Sequence, residues 1–203
     1  GGRKNDPAHA PALGPEGYIY LTGRFADTIP FGTNPGDTLR AFAFQNPVPG
    51  FVSEDAFVAC FDTLGTFRWA RRAGSNLYNI CPGDIGLTAI ADQRGVYIGG
   101  TLQTAATVGD STLPTGQSAC TRLGFVASWD TAGVFRWSRW MGSPENGGHA
   151  AVNTLAFDGT FGLLAGGFFN QDGIFAFDTV ASIDSTRDAF LLYLDVFGGW
   201  IGH

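Results

Sequence analysis

The amino-acid sequence predicts an all-β protein made of three repeated four-stranded antiparallel units. Three observations carry that prediction. One phrase occurs twice, as FRWARRAGS at Phe67 to Ser75 and FRWSRWMGS at Phe135 to Ser143. A second occurs three times, as DAFVACFDTLG (Asp55 to Gly65), GFVASWDTAG (Gly124 to Gly133) and DAFLLYLDVFG (Asp188 to Gly198). A third, a short apolar run that meets a glycine, recurs as YIYLTGRF around Gly23, VYIGGTL around Gly100 and LLAGGFF around Gly167. Repeats are read before local structure because each is one supersecondary unit that cannot bury its apolar face alone. The units are residues 1–75, 76–143 and 144–203, together one domain of residues 1–203.

Each unit resolves into four strands, A to D in chain order. Strand A is clearest as LTAIAD in the second unit and poorest in the first, where APALGPEG stands in its place. The B strands are predicted to end near Gly23, Gly100 and Gly167. The C strands, predicted over Phe57 to Asp62, Phe125 to Asp130 and Phe190 to Asp195, show period-two alternation: Phe57, Ala59 and Phe61 share one face, Val58 and Cys60 the other. Both faces are largely apolar, which predicts sheets buried on both sides. Asp-Thr-Leu-Gly at 62–65, Asp-Thr-Ala-Gly at 130–133, Gln-Arg-Gly at 93–95 and Asp-Gly at 158–159 supply the turns. The FRW phrases read as D strands, with Phe67, Trp69 and Arg71 on one face and Arg68 and Ala70 on the other. Trp200 aligns with Trp69 and Trp137. Arginines on an outer strand serve as a solvated guard against edge-to-edge pairing; an anion-binding stripe is the alternative.

Repeated four-stranded sheets that are apolar on both faces are what a β-propeller stacks around its axis. G-x-x-Y-x-x-G, then F-G or V-G with T-L, then D-A-F-V-A-x-x-D-x-x-G-x-x-x-W resembles the bacterial β-propeller repeat called SBBP, over almost the whole chain; Cys60 stands where that family usually has lysine. The resemblance implies an extracellular, modular β-propeller of the kind common in secreted and cell-surface proteins, especially of Bacteroidota, and it brings no catalytic motif. Known propellers have about 4 to 8 blades. Three units therefore predict a part of a larger propeller, its end faces meeting further blades of the same polypeptide or neighbouring subunits.

Composition narrows the function. The chain has 12 Lys and Arg against 18 Asp and Glu, a net charge of −6 and a pI near 4.8, which argues against general affinity for nucleic acid or for anionic membranes. No apolar run approaches the roughly 18 to 20 residues that cross a bilayer, so no membrane insertion is expected. The only methionine is Met141, and Gly1 is therefore read as the start of a processed product, an excised piece or a partial chain.

Variation in length falls between strands B and C, because the interval from each strand-C phenylalanine to the next strand-B glycine is nearly constant. B–C and D–A connections leave an up-and-down sheet on the same rim. Variable loops on a rigid frame are where binding usually resides, so that rim is the expected site. In the longest loop, Thr33 to Glu54, Phe42, Phe44 and Phe51 either pack over their own sheet or contact a partner. Asp84 and His149 lie in equivalent D–A loops and Asp6 in a third, as candidate axial polar residues or as solvated loop polars. Cys81 precedes strand A and Cys120 precedes strand C of the second unit, which predicts a disulfide between them and leaves Cys60 a buried thiol.

No catalytic, cofactor or metal site is expected. His9, His149 and His203 stand apart, no Cys-x-x-Cys or His-x-x-x-His spacing exists, and the serines lack a G-x-S-x-G context. Asp62, Asp130 and Asp195 recur once per unit at the C–D turn, which points to turn capping. The expected function is a non-enzymatic extracellular structural or binding module, with a protein or glycan ligand. Alternatives are a propeller enzyme acting on carbohydrate with its catalytic residues elsewhere, and a lectin-like sugar binder.

Overall fold

The computed structural model describes residues 6–42, 54–75, 83–116, 120–145, 147–175, 178–182 and 186–202. In the first unit β1 (Ala8–Leu13) and β2 (Ile19–Ala26) lead to a small hairpin, β3 (Thr28–Pro30) and β4 (Thr38–Arg40), and then to β5 (Glu54–Phe61) and β6 (Phe67–Gly74). The second has β7 (Ile85–Asp92), β8 (Gly95–Gln103), a hairpin of β9 (Thr107–Val108) and β10 (Ser111–Thr112), β11 (Arg122–Trp129) and β12 (Phe135–Met141). The third has β13 (Ala150–Phe157), β14 (Gly162–Phe169), a hairpin of β15 (Gly173–Phe175) and β16 (Asp178–Val180), β17 (Asp188–Asp195) and β18 (Trp200–Gly202). A single turn of 3-10 helix, Pro35–Asp37, sits in the first hairpin.

The protein is thus all-β, its strands pairing antiparallel in the four-stranded orders β1-β2-β5-β6, β7-β8-β11-β12 and β13-β14-β17-β18, the first extended to six strands by β9 and β10 beyond β6. Strand A of the first unit forms despite its poor sequence and pairs with β2 along its length. The B strands run two or three residues past the recurring glycines, and the C strands begin two or three residues before the phenylalanines. Those glycines have a definite cause. Each A strand shifts register once, between Ala8 and Ala10, Gly86 and Thr88, and Val152 and Thr154, opposite Gly23, Gly100 and Gly167. A Cβ at these glycines would stand about 2 Å from the carbonyl oxygens of Pro7, Ile85 and Ala151. The bulged strand approaches too closely for any side chain.

The C–D turns repeat in atomic detail. Asp62 Oδ1 accepts the amides of Leu64 (3.0 Å) and Thr66 (2.8 Å), Asp130 Oδ1 those of Ala132 and Val134, and Asp195 Oδ1 those of Phe197 and Gly199. Gly65, Gly133 and Gly198 follow with φ of 77°, 78° and 84°, in the left-handed region that glycine enters without strain.

Just past the turn the sequence reading fails in one respect. Cys60 pairs with Trp69 but Phe61 pairs with Phe67, so Arg68 is an extra residue, a bulge repeated at Arg136 in the second sheet. Phe67 and Trp69 therefore lie on opposite faces, with Phe67 against Phe31 and Phe61 and Trp69 against Tyr20. The same bulge corrects the alignment of Trp200. It pairs with Leu194 while Gly202 pairs with Tyr193, so Trp200 occupies the place of Phe67 and Phe135, and Gly202 the place of Trp69 and Trp137.

The sheets stack face to face. Tyr20, Val58, Cys60 and Trp69 of the first pack against Ile98, Leu123, Phe125 and Trp129 of the second. Tyr97, Val126 and Trp137 of the second pack against Val152, Leu163, Leu192 and Leu194 of the third. The first strands of the three sheets, β1, β7 and β13, lie side by side. Two fixings recur between sheets. Trp69 Nε1 donates to Thr131 O at 2.9 Å and Trp137 Nε1 to Val196 O at 3.1 Å, each an outer-strand indole seated on the next sheet's C–D turn. At the other rim the second and third B–C hairpins bond back to the preceding outer strand: β9 pairs with Ala73 and Gly74, and Ile174 exchanges two backbone hydrogen bonds with Gly142. These hairpins have no common sequence. Each begins one or two residues after strand B at a non-glycine with φ near 60°, Asp27, Ala105 and Gln171.

The two end faces differ. The outer face of the first sheet is covered in part by its own hairpin, Phe31 stacking on Phe67 with ring centroids 5.8 Å apart. The outer face of the third sheet leaves Leu191 61% exposed. No described helix is long and apolar enough to cross a membrane.

Candidate functional site

The rim formed by the B–C and D–A connections carries most of the polar residues that the sequence singled out. Asp84, just before β7, is fully buried. Its Oδ2 accepts the amide of Ser75 at 2.9 Å and its Oδ1 that of Gln103 at 2.6 Å, which ties the end of the first outer strand to the end of the second sheet's strand B. Burial pushes its pKa up to about 7, against the opposing pull of those two amides and of Arg122. Asp6 does the equivalent job in the first unit, where its Oδ1 accepts the amide of Ala26, the last residue of β2, at 3.1 Å. In the third unit His149 bonds through its backbone instead. Its carbonyl accepts the Asn170 amide at 2.9 Å, and its own N–H donates to Asn170 Oδ1.

All three lie in like D–A connections, but only Asp6 and Asp84 match in register, each two residues before the residue opposite the bulge glycine, a place that Ala150 takes in the third unit; Asp84 is a buried strand clamp, not a solvated loop group. Around it Arg24 and Glu54 form an ion pair at 3.1 Å, and the Glu54 carbonyl accepts the Asp84 amide at 3.0 Å. Arg122 donates its backbone N–H to Gly148 O at 2.9 Å and bridges to His149. Burial first, and then the charges of Arg122 and Arg187, holds the His149 imidazole below its ordinary pKa.

Phe42 is half-buried, its amide bonded to Asp55 Oδ2 at 2.7 Å and its ring beneath the Arg72 guanidinium at 3.7 Å. It packs over its own sheet. Phe44 and Phe51 lie outside the described residues, as do Cys81 and His203. No disulfide joins two described residues, and Cys60 is a free buried thiol. Its pKa is pushed up to about 11 by burial.

Sequence reasoning missed an open groove that runs from this rim along the second sheet's outer strand, made of two cavities that share Ile174. Its larger part, about 510 Å³, is lined by Ser143, Glu145, Gln171, Asp172, Thr179 and Ser182. A smaller part of about 180 Å³ lies against Ser138, Arg139, Trp140 and Trp200, and Ile174 borders both. The groove exists because the β15–β16 hairpin leans on the second sheet's outer strand, a contact between segments that share no pattern. Among the described residues no group of three His, Cys, Asp or Glu side chains is placed to hold a metal ion. Comparison with protein-family models and with curated proteins returns no match.

Proposed function

We propose that this chain is a segment of an extracellular, non-enzymatic β-propeller of the SBBP type, in which each four-stranded sheet is a blade and the B–C rim presents variable loops to a protein or glycan partner. The observation that carries the reading is the repeated joint between successive sheets, an indole on the next turn at one rim and a hairpin on the preceding outer strand at the other. A joint repeated in one sense adds one sheet at a time, and the adjacent first strands support a fan with the A strands inside. In this reading Asp84 and Asp6 are committed to backbone amides and serve architecture, while the loops vary. Further blades, of the same polypeptide or of neighbouring subunits, cover the third sheet's outer face.

Static light scattering and hydrophobic-dye binding on the 203-residue chain test this. Self-association or dye binding, reduced by Leu191→Asp, is the expected result. A stable monomer that binds no dye would refute it.

A second reading, a lectin-like sugar binder, is favoured by the groove, where Trp140, Trp200 and Arg139 line one cavity and hydroxyl, amide and carboxylate groups line the next, Ile174 standing between them. Aromatic faces beside such polar groups suit a saccharide. Calorimetric titration with a panel of soluble oligosaccharides, repeated on Trp200→Ala, would support this reading if binding occurs and is lost in the variant.

A further inference from the structure

The three C–D turns have the same aspartate cap and the same left-handed glycine, yet only two of them are occupied. A Cβ built on Gly133 would stand 2.6 Å from the Trp69 ring, and one on Gly198 would stand 2.7 Å from the Trp137 ring. Both glycines are buried beneath those indoles, which donate to the carbonyls of Thr131 and Val196. The first sheet's turn, Asp62 to Gly65, presents the same surface with no described residue seated on it. Gly65 is exposed, a Cβ there would meet no atom within 4 Å, and Leu64 beside it is 89% exposed. Among the described residues no group donates to the Thr63 carbonyl, the equivalent of Thr131 O and Val196 O.

We propose that this turn is a vacant tryptophan socket that receives the outer strand of a further repeat unit of the Phe-x-Trp type, the indole N–H donating to Thr63 O and the ring lying on Gly65. This rests on the propeller reading and names the contact by which a preceding blade docks. The occupant is fixed by the chain's own tryptophans. Trp69 and Trp137 are each 8% exposed and already seated, and the third sheet has Gly202 at that position. A second copy of this chain thus has no free indole to offer at that strand position.

The fit extends to the other rim. In both occupied cases a glycine five residues beyond the tryptophan, Gly74 or Gly142, meets the next sheet's B–C hairpin. The β3 strand stands in the corresponding place in the first unit. The strand recognised is therefore Phe-x-Trp-x-x-x-x-Gly, bound at its tryptophan by the turn and at its glycine by the hairpin.

The test titrates the synthetic nonapeptide FRWSRWMGS, the sequence of Phe135 to Ser143, into the ¹⁵N-labelled 203-residue chain. Saturable amide shifts at Leu64, Gly65 and Thr66 are expected, with binding weakened about tenfold, as for loss of a buried aromatic anchor, when the peptide carries Trp137→Ala. The chain variant Gly65→Asn fills the socket at a backbone conformation that asparagine tolerates, so it should lose the peptide while its spectrum elsewhere is unchanged. The proposal is overturned if the turn amides do not move, or if the alanine peptide binds as well as the parent. Shifts confined to the third sheet around Leu191 would overturn the socket and leave the propeller reading standing, since light scattering tests that separately.

Discussion

Placing asparagine at Gly133 and, separately, at Gly65 isolates the energy of one seated indole. The two glycines have φ of 78° and 77° and the same aspartate cap, so backbone strain is common to both variants, and asparagine visits this region more readily than other side chains. They differ in what the new Cβ meets, the Trp69 ring at 2.6 Å for Gly133 and nothing within 4 Å for Gly65. Overpacking of this kind costs roughly 1 to 3 kcal/mol. Loss of the 2.9 Å hydrogen bond from Trp69 to Thr131 O adds about 0.5 to 1.5 kcal/mol. Gly133→Asn is therefore expected to destabilise the chain by about 2 to 4 kcal/mol more than Gly65→Asn. At about 2 to 4 °C per kcal/mol for a domain of this size, that is on the order of 10 °C in Tm. Urea unfolding followed by tryptophan fluorescence reads the difference directly. If the two variants agree to within about 0.5 kcal/mol, the ordinary scatter of surface substitutions, the indole joint does not hold the sheets together.

Three further outcomes are expected. Asp84, with its pKa raised by burial to about 7, keeps its proton in the folded chain after the unfolded chain has lost it, so its contribution falls as pH rises from about 4 to about 7. The sum approaches 4 kcal/mol as an order of magnitude. Urea melts across that range should show the decline in the parent and not in Asp84→Asn, and parallel pH profiles would refute the assignment. Cys60, buried and with its pKa pushed up to about 11, should resist iodoacetamide in the native chain and react on unfolding; fast native labelling would contradict the packing. Peptide mapping without reduction of chain folded in oxidising buffer should show Cys81 joined to Cys120, and two free thiols there would remove the argument for an oxidising compartment.

The strands were legible because their signals are local and repeated: alternation in DAFVACF, Asp-Thr-x-Gly turns, and a glycine wherever strand A bulges against strand B. The bulge at Arg68 was not legible. Nothing in FRWARRAG distinguishes an extra residue from an alternating one, and only the pairing of Cys60 with Trp69 and Phe61 with Phe67 reveals it. Placement of Asp6, Asp84 and His149 in like D–A connections followed from spacing, but burial of Asp84 depends on Ser75 and Gln103 arriving from two different sheets. The hairpins and the groove beside Ile174 were invisible for a related reason. Their strands are two or three residues long, and their turning residues, Asp27, Ala105 and Gln171, are not the glycines that usually announce φ near 60°.

The hairpin contacts also give assembly a direction in time. The second and third hairpins each bond to an outer strand that precedes them in the chain, β9 to Ala73 and Gly74, Ile174 to Gly142, whereas the first folds onto the outer strand of its own sheet, Phe31 on Phe67. A chain emerging from the ribosome N-terminus first, at about 5 to 20 residues per second, therefore always has its docking edge ready when the next hairpin appears. Within each set of four strands, hydrogen-bonded neighbours follow one another along the chain apart from the interposed hairpin, so their contacts are of low sequence separation. The third sheet cannot be latched until the second is complete. Pulsed hydrogen exchange during refolding should accordingly find protection at Ile174 no earlier than at β11 and β12, and protection in the reverse order would mean that the sheets assemble independently of the latch.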